Sequence, residues 1–600
     1  MAVDISTASG INTLVQNYMT SEVTKRIDPL NTKVNSYGTL SSAWTSLASA
    51  VESFKSSAYD LQSTTSDTYF GAKAATTTNS SFVTATATKD SSVAAFTMRV
   101  SQLAKNDIAV SNSMTSATAV TTMAGTHTLN FTNGDYSSSV DVALTGTETN
   151  ATIMQKISDA VNGSKAVVNS AAMDASSVYT GSGTFKINLN GTDTAIDYDY
   201  SSGKTYSEVV DDLATKINAA VPGITAEKIT SGSNVNLRLT VGNSSQYISV
   251  DQTSDTGTLL NSSNFNMSAS KLKAASGIVS TAVFTPSSGN SKLSITSKTS
   301  GYDNRLQMSD ASGSSALSFL GLDSGVLSAH TKISDDNTAG FVYAVNSSTD
   351  NQLNAKVVFN GINVQSNTNT LDTLANGVTF VLKSVMAASD SDVTVNVASD
   401  VTTVKNKIYD FMSKFNKVYS SIKSQSNTDT NGRGVFVSDP SASALLKNLR
   451  TAAMSKVPGL ADGNLSYLSQ IGITFDPATG VSLTNDSLLT DAISNKPTQL
   501  ANLFNSSSGI ASTLYTQLSR YAGADGAIAK TQASIASSTK YLNDKITSTQ
   551  AQIEKQATSL RNQYNRLQAQ LANMTTAYYT WASFASVSTT SSSTSTGSTS

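Results

Sequence analysis

A multidomain α+β chain, helical at both ends and β-rich between, is what this sequence predicts, and three observations predict it. Apolar residues step by three and four through both terminal stretches, the middle of the chain changes to a period of two, and 600 residues exceed what one hydrophobic core organises.

Taken in order, Ile11, Leu14, Val15, Tyr18 and Met19 mark a short amphipathic segment. Leu30, Val34, Tyr37, Leu40, Trp44, Leu47, Val51, Phe54, Ala58 and Leu61 then form a heptad-like seam, with Asp28 as the expected N-cap and Pro29 in the first turn. From about Ser81 to Val397 the residues become β-branched, Gly and Asn. FKINLN from Phe185, VNLRLTV from Val235, LSIT from Leu293 and VTVNV from Val393 alternate as half-buried strands do. An internal repeat is visible. GTHTLNFTNG from Gly125 and GTFKINLNG from Gly183 are each followed by a helical pattern ending in Asn, at Asn162 and Asn218, and a looser echo of the strand part begins at Leu293.

Helical spacing returns with Val404, Ile408, Phe411, Phe415, Val418 and Ile422, followed by a mixed segment from Val435 to Phe504. A second seam closes the series: Ile553, Ala557, Leu560, Tyr564, Leu567, Leu571, Met574, Tyr578 and Trp581. Neither seam is buried by its own helix, so the expectation is that the C-terminal seam packs on Leu30–Leu61, with any leftover face open to a partner chain. The aromatics Tyr578, Tyr579, Trp581 and Phe584, close to a Ser/Thr tail from Ser586 to Ser600 expected to be disordered, favour a partner at that end.

Composition narrows the function. Charged residues are 14% of the chain against roughly 25% in an average domain, and the net charge is -2, so no nucleic-acid footprint exists. With no Cys and two His, thiol chemistry, disulfides and a His-based metal site are set aside. Asp4 stands where a signal peptide is basic, and no run of 18 apolar residues occurs, so neither Sec export nor membrane insertion is expected. His127 and His330 have no matching Ser and Asp motif and read as surface or packing residues. Asn427, Asp429, Asn431 and Gly432 imitate the start of a calcium loop, but Ser438 stands at its twelfth position, where a bidentate Glu is needed. Asp197 and Asp199 alternate along a strand and fall on one face, which is usually solvent. No catalytic residues, cofactor or metal are expected, and the sequence argues against an enzyme.

Several separated stretches resemble one known family, the bacterial flagellar filament cap proteins, also called flagellar hook-associated protein 2. They are SYGTLSSAWTSL from Ser36, FTMRVSQLAKNDIAVS from Phe96, VVFNGINVQSNTNTLDTLANGVTFVLK from Val357 and LSQIGITFDPATGVSLTNDSLLTDAISNKPTQLANLF from Leu468, in the family's order. The repeat is similar to the flagellin-type insert. The resemblance implies a coiled-coil leg from residues 1–35 and 565–600, an inner helical domain from 36–75 and 400–564, a β-rich head domain from 76–115 and 340–399, and an outer head domain from 116–339 with insert repeats near 125–180 and 183–250. It further implies a homo-oligomeric closed plate at the distal filament tip that promotes folding and insertion of flagellin. Export through the flagellar type III system, an export chaperone at the C-terminus and hook–filament junction proteins as neighbours follow from the same likeness. Two other readings compete: a flagellin or junction subunit, and an adhesive head binding a host mucin or glycan.

Overall fold

The computed structural model describes residues 5–62, 69–429 and 432–588. The chain divides into two compact units, Met1–Lys73 with Ser399–Ser600, and Ala74–Ala398. The fold is α+β and multidomain, with helices at both ends and sheets between.

In the helical unit the first helix runs Ala8–Arg26, its N-terminus capped by Thr7 Oγ1, which accepts from Gly10 N–H at 3.0 Å. The second spans Asp28–Gln62. Asp28 lies inside its first turn rather than capping it; the break falls one residue earlier, at Ile27, which closes the first helix through a bond to the Val23 carbonyl. Pro29 accounts for the interruption: it has no N–H for the Lys25 carbonyl, and its ring crowds that position.

The second helix changes character along its length. Trp44, Leu47, Val51, Phe54, Ala58 and Leu61 are buried, in one core with Ile408, Phe411 and Phe415 of the helix Val401–Gln425 and with Leu514 and Leu518 of Ile510–Ser519. Phe54 has its ring centroid 5.2 Å from Phe411 and 5.7 Å from Phe415. Leu30, Val34, Tyr37 and Leu40, from the same seam, are only half-buried. Here Thr32, Ser36, Thr39, Ser42 and Thr45 bond their hydroxyls to the carbonyl four residues back, a habit that satisfies the hydroxyl but lends the helix little intrinsic stability. The hairpin Ile473–Asp476 with Gly480–Leu483 and the helices Pro440–Met454, Asp486–Asn495 and Pro497–Asn505 complete the unit.

In the other unit, a five-stranded sheet containing Ala94–Gln102, Ala355–Phe359 and Val393–Ser399 shares a core with the three-stranded sheet Val83–Ala87, Val378–Leu382 and Thr370–Ala375, through Met98, Val100, Phe380 and Val395.

The remaining sheets hold the internal repeat, and it is nested rather than tandem. One copy consists of the hairpin Ser182–Leu189/Thr192–Asp199, the helix Tyr206–Ala220, the hairpin Ile224–Ser231/Asn234–Val241 and a strand Tyr247–Val250 that returns beside the first hairpin. The other begins with Ala124–Asn133/Tyr136–Thr145 and the helix Asn150–Asn162, then resumes at Val279–Phe284/Asn290–Ser300 and Gln307–Asp310. The strands Val167–Asn169 and Met173–Asp174, expected inside the first repeat, pair with Asn234–Val241 of the second. They match Asn106–Val110 and Met114–Thr115, which pair with Asn290–Ser300.

Local bonds recur between the copies. Ser111 Oγ accepts from Leu293 N–H and Ser170 Oγ from Leu237 N–H, both at 2.9 Å. Asn162 clamps the Thr281 backbone, donating to its carbonyl at 2.9 Å and accepting from its N–H at 3.2 Å; Asn218 does the same to Ala226 at 2.8 and 2.8 Å. That clamp is the physical reason both helical patterns end in Asn. The inserted copy enters and leaves at one place, where Ser276 N–H donates to Ser164 Oγ at 2.8 Å. The two copies also build one seven-stranded sheet, joined by Ala269–Lys273.

Candidate functional site

The C-terminal helix is 62 residues long, Ala527–Ser588, about 93 Å at roughly 1.5 Å per residue. It runs on past Ser586, where the tail was expected to begin; residues 589–600 lie outside the described residues. Its early part packs on the second helix: Ile528 and Ile535 belong to the helical core, and Gln532 Nε2 donates to Thr45 Oγ1 at 3.0 Å.

From Ile553 onward the partner is the first helix, which corrects the expected pairing with Leu30–Leu61. Ile11 and Val15 form a small core with Ala557, flanked by Tyr18, Met19 and Tyr564. Arg26 Nη2 donates to Gln552 Oε1 at 2.8 Å, Tyr18 Oη to Gln556 Oε1 at 2.9 Å, and Gln568 Nε2 to the Ser6 carbonyl at 2.6 Å, an antiparallel ladder. A heptad stripe states that a helix has a neighbour without stating which one, and the short segment Ile11–Met19 carried too few apolar positions to compete in the sequence.

Two irregularities meet near one level of this pair. On one side is the break at Ile27; on the other, the apolar spacing Ile546, Thr549, Ile553, Ala557 advances by three, four and four, one residue more than a heptad allows. Thr549 is buried there, a polar residue in an otherwise apolar seam.

Beyond Gln568 the seam continues in register, but no described residue covers it. Ile553 is buried and Leu560 and Tyr564 half-buried, whereas Leu567 is 40%, Leu571 36%, Met574 68%, Tyr578 64% and Trp581 70% exposed, with Tyr579 and Phe584 exposed beside them. Large apolar side chains at that spacing on one helix form an exposed patch of the kind that marks a protein interaction site. What the arrangement can do is bind another helix.

The other candidates fall elsewhere. Both His are buried: His127 Nδ1 accepts from Ser315 N–H at 3.2 Å, and His330 stacks on Phe341 with Nε2 3.3 Å from Asp107 Oδ1. The Asp107 partner is remote in the chain and carries no sequence signal. Asp197 and Asp199 lie on the exposed face of Thr192–Asp199. In the calcium-like loop, Thr428–Asp429 and Gly432–Arg433 form a short hairpin, and Asn431 lies outside the described residues. Among the described residues no group of three or more His, Asp or Glu is arranged to hold a metal, and no helix is long and apolar enough to cross a membrane.

Two family models match the chain, Flagellar hook-associated protein 2 N-terminus over residues 9–107 and Flagellar hook-associated protein 2 C-terminus over residues 353–576, together just over half of it. The A-type flagellar hook-associated protein 2 of Pseudomonas aeruginosa is 26% identical over 253 residues, 41% of this chain and 50% of that protein, so the match spans half the length of this relative. Among solved structures, the D1-D2-D3 domains of the flagellar cap protein FliD from Escherichia coli align at 17% identity over 82% of this chain and 99% of that one, TM-score 0.45. FliD (HAP2) from Pseudomonas aeruginosa PAO1 aligns at 16% identity over 58% and 98%, TM-score 0.22. The family assignment rests on the two models.

Proposed function

This chain belongs to the flagellar hook-associated protein 2 family, and on that premise we propose that it caps the growing flagellar filament as a homo-oligomer and promotes the folding and insertion of flagellin without catalysing a reaction. The observation that carries the reading is the bare stripe Leu567, Leu571, Met574, Tyr578 and Trp581, which prolongs in register a seam already used for helix pairing. A cap that advances with each added subunit needs a surface that binds helices and lets go. Thr575, Thr576 and Thr580 bond their hydroxyls to the carbonyl four residues back, and an isolated helix of this composition is marginal in water. Ordering it on docking consumes part of the binding energy, which keeps each engagement weak enough to reverse.

A chain with no Cys and weakly helical ends also suits passage unfolded through the flagellar type III channel, with an export chaperone holding the C-terminal stripe in the cell and hook–filament junction proteins as the first surface met outside. Membership of this family sets aside the reading as a flagellin or junction subunit.

The test replaces Leu567, Leu571 and Met574 together by Ser in the full chain and measures swarming and filament length in cells that lack the native copy. Loss of filaments with the purified variant still folded is expected. Normal filaments from that variant would remove the stripe from the mechanism.

A further inference from the structure

The nested repeats differ at one place, and the difference leaves an open strand edge. In the inserted copy the chain after Met267 runs beside Tyr247–Val250 as the strand Ala269–Lys273, with Leu272 opposite Ile248. The corresponding segment of the host copy follows Leu322. Phe265, Asn266 and Met267 stand for Leu320, Gly321 and Leu322, and the middle residue of each trio has a positive φ, 41° at Asn266 and 78° at Gly321. After Leu322, however, the chain turns into the short helix Ser324–Ser328. Strand Gln307–Asp310 is thereby left, among the described residues, paired on one side only, with Ala124–Asn133.

A cleft of ≈ 550 Å³ occupies the vacated place, with Arg305–Asp310 along one wall and Leu322, Ser324, Leu327 and His330 on the other. Backbone phase aims the strand into it. Ala311 N–H bonds to the Thr128 carbonyl at 3.0 Å, so Ser309 and Gln307 complete the ladder with Ala124–Asn133, while the N–H and C=O of Met308 and Asp310 face the cleft. The inserted copy has the same phase: Asn190 N–H bonds to the Tyr247 carbonyl, and Ile248 and Val250 face the added strand.

We propose that the edge Gln307–Asp310 accepts an added strand from another polypeptide, an extended stretch that alternates apolar with basic residues. The molecule contains the model for that partner: in the inserted copy Lys273 and Leu272 pair with Tyr247 and Ile248, and Ala269 pairs with Val250 across a bulge that holds Lys271 at a positive φ of 44°. Charge agrees: the cleft carries Asp310 and Asp323 against the single Arg305. Main-chain bonds supply affinity and the side-chain alternation supplies selection. An edge of four residues makes a small, transient contact, suited to a passing unfolded chain more than to a permanent subunit. The proposal stands independently of the capping role.

The experiment titrates a fluorescent peptide of the sequence Ser268–Ala274 with the full-length protein, followed by anisotropy, and maps amide hydrogen exchange over Arg305–Ala311. Saturable binding is expected, with slowed exchange confined to that stretch. In M308P affinity falls at least tenfold; the lost N–H is one that the sheet does not use, but the buried Met308 side chain leaves the core with it, so the fold of the variant is checked by circular dichroism first. Absence of saturation, protection at the other free edge, Thr192–Asp199, or undiminished binding by folded M308P overturns the proposal. Concentration-dependent oligomers abolished by M308P, without peptide binding, overturn it in favour of a second copy as occupant. The exchange map on the unmodified protein decides the matter even where M308P misfolds.

Discussion

The β-rich unit and the helical unit solve the same problem in opposite ways. In the β-rich unit the apolar faces are closed by elements of the same chain, down to a repeated Asn clamp and a repeated Ser bond in both copies, while strand edges such as Gln307–Asp310 stay open. The helical unit closes its seam only in part: fully from Trp44 to Leu61, partly near Tyr564, and not at all from Met574 to Phe584. Buried and exposed stretches therefore follow the same spacing on two different helices. The same heptad spacing that builds a core where neighbours exist is left exposed where they end.

The contrast is sharpest within the helical unit. Phe54→Ala, in the core between Phe411 and Phe415, is expected to cost about 3–5 kcal/mol in urea unfolding. Leu571→Ala, at the half-bare end, is expected to change stability by less than about 0.5 kcal/mol while shortening filaments. Equal destabilisation by the two would mean that the stripe is covered within the chain.

A coarser cut probes the β-rich unit. Removing residues 165–275 and joining Ser164 to Ser276, which already touch, is expected to leave the host repeat folded, with the exchange protection of Asn290–Ser300 retained. Collapse of that protection would show that the inserted copy is part of the host core.

At the next level down, Asn162→Ala and Asn218→Ala are each expected to cost about 1 kcal/mol, alike because each removes the same pair of backbone bonds. A large inequality, read from chemical unfolding, would deny that the copies are energetically equivalent.

The smallest effect is the one that fades in acid. Glu148 accepts from Lys156 Nζ at 2.5 Å and from the N–H of Thr145 and Gly146, and first Lys156, then the Thr145 amide, hold its carboxyl well below its ordinary 4.5. A carboxyl depressed on folding contributes stability that is fully present above its unfolded pKa and fades as pH falls toward the folded value. E148Q is therefore expected to be less stable than the native chain at pH 7, with the gap narrowing steadily below about pH 4.5. A gap independent of pH would assign the effect to shape instead of charge.

Much of this architecture is legible in the sequence, because periods are local. The two seams, the return helix from Val404 and the Asn-terminated repeat helices all follow from spacing that a few turns of chain determine. What is not legible is pairing. Nothing in the stretch Val167–Asp174 says that it belongs to the following copy, since any strand offers the same backbone ladder and only the finished sheet selects the partner. For the same reason the seam from Ile553 to Trp581 announced a helix with a neighbour while concealing that Ile11 and Val15 are that neighbour. The His330–Asp107 contact and the open edge at Gln307–Asp310 depend wholly on elements brought together from distant positions.

Nesting also sets a timetable. The inserted repeat finds nearly all its strand partners between Val167 and Lys273, whereas Asn106–Val110 has to wait for Asn290–Ser300, and Ile11 for Ala557. Loop closure grows slower and costlier as the intervening chain lengthens. The centre of the sequence is thus expected to be the first part to reach its native form and the two ends the last, so that the chain matures from its middle toward its termini and the pairing that leaves the C-terminal stripe exposed is the final one to set.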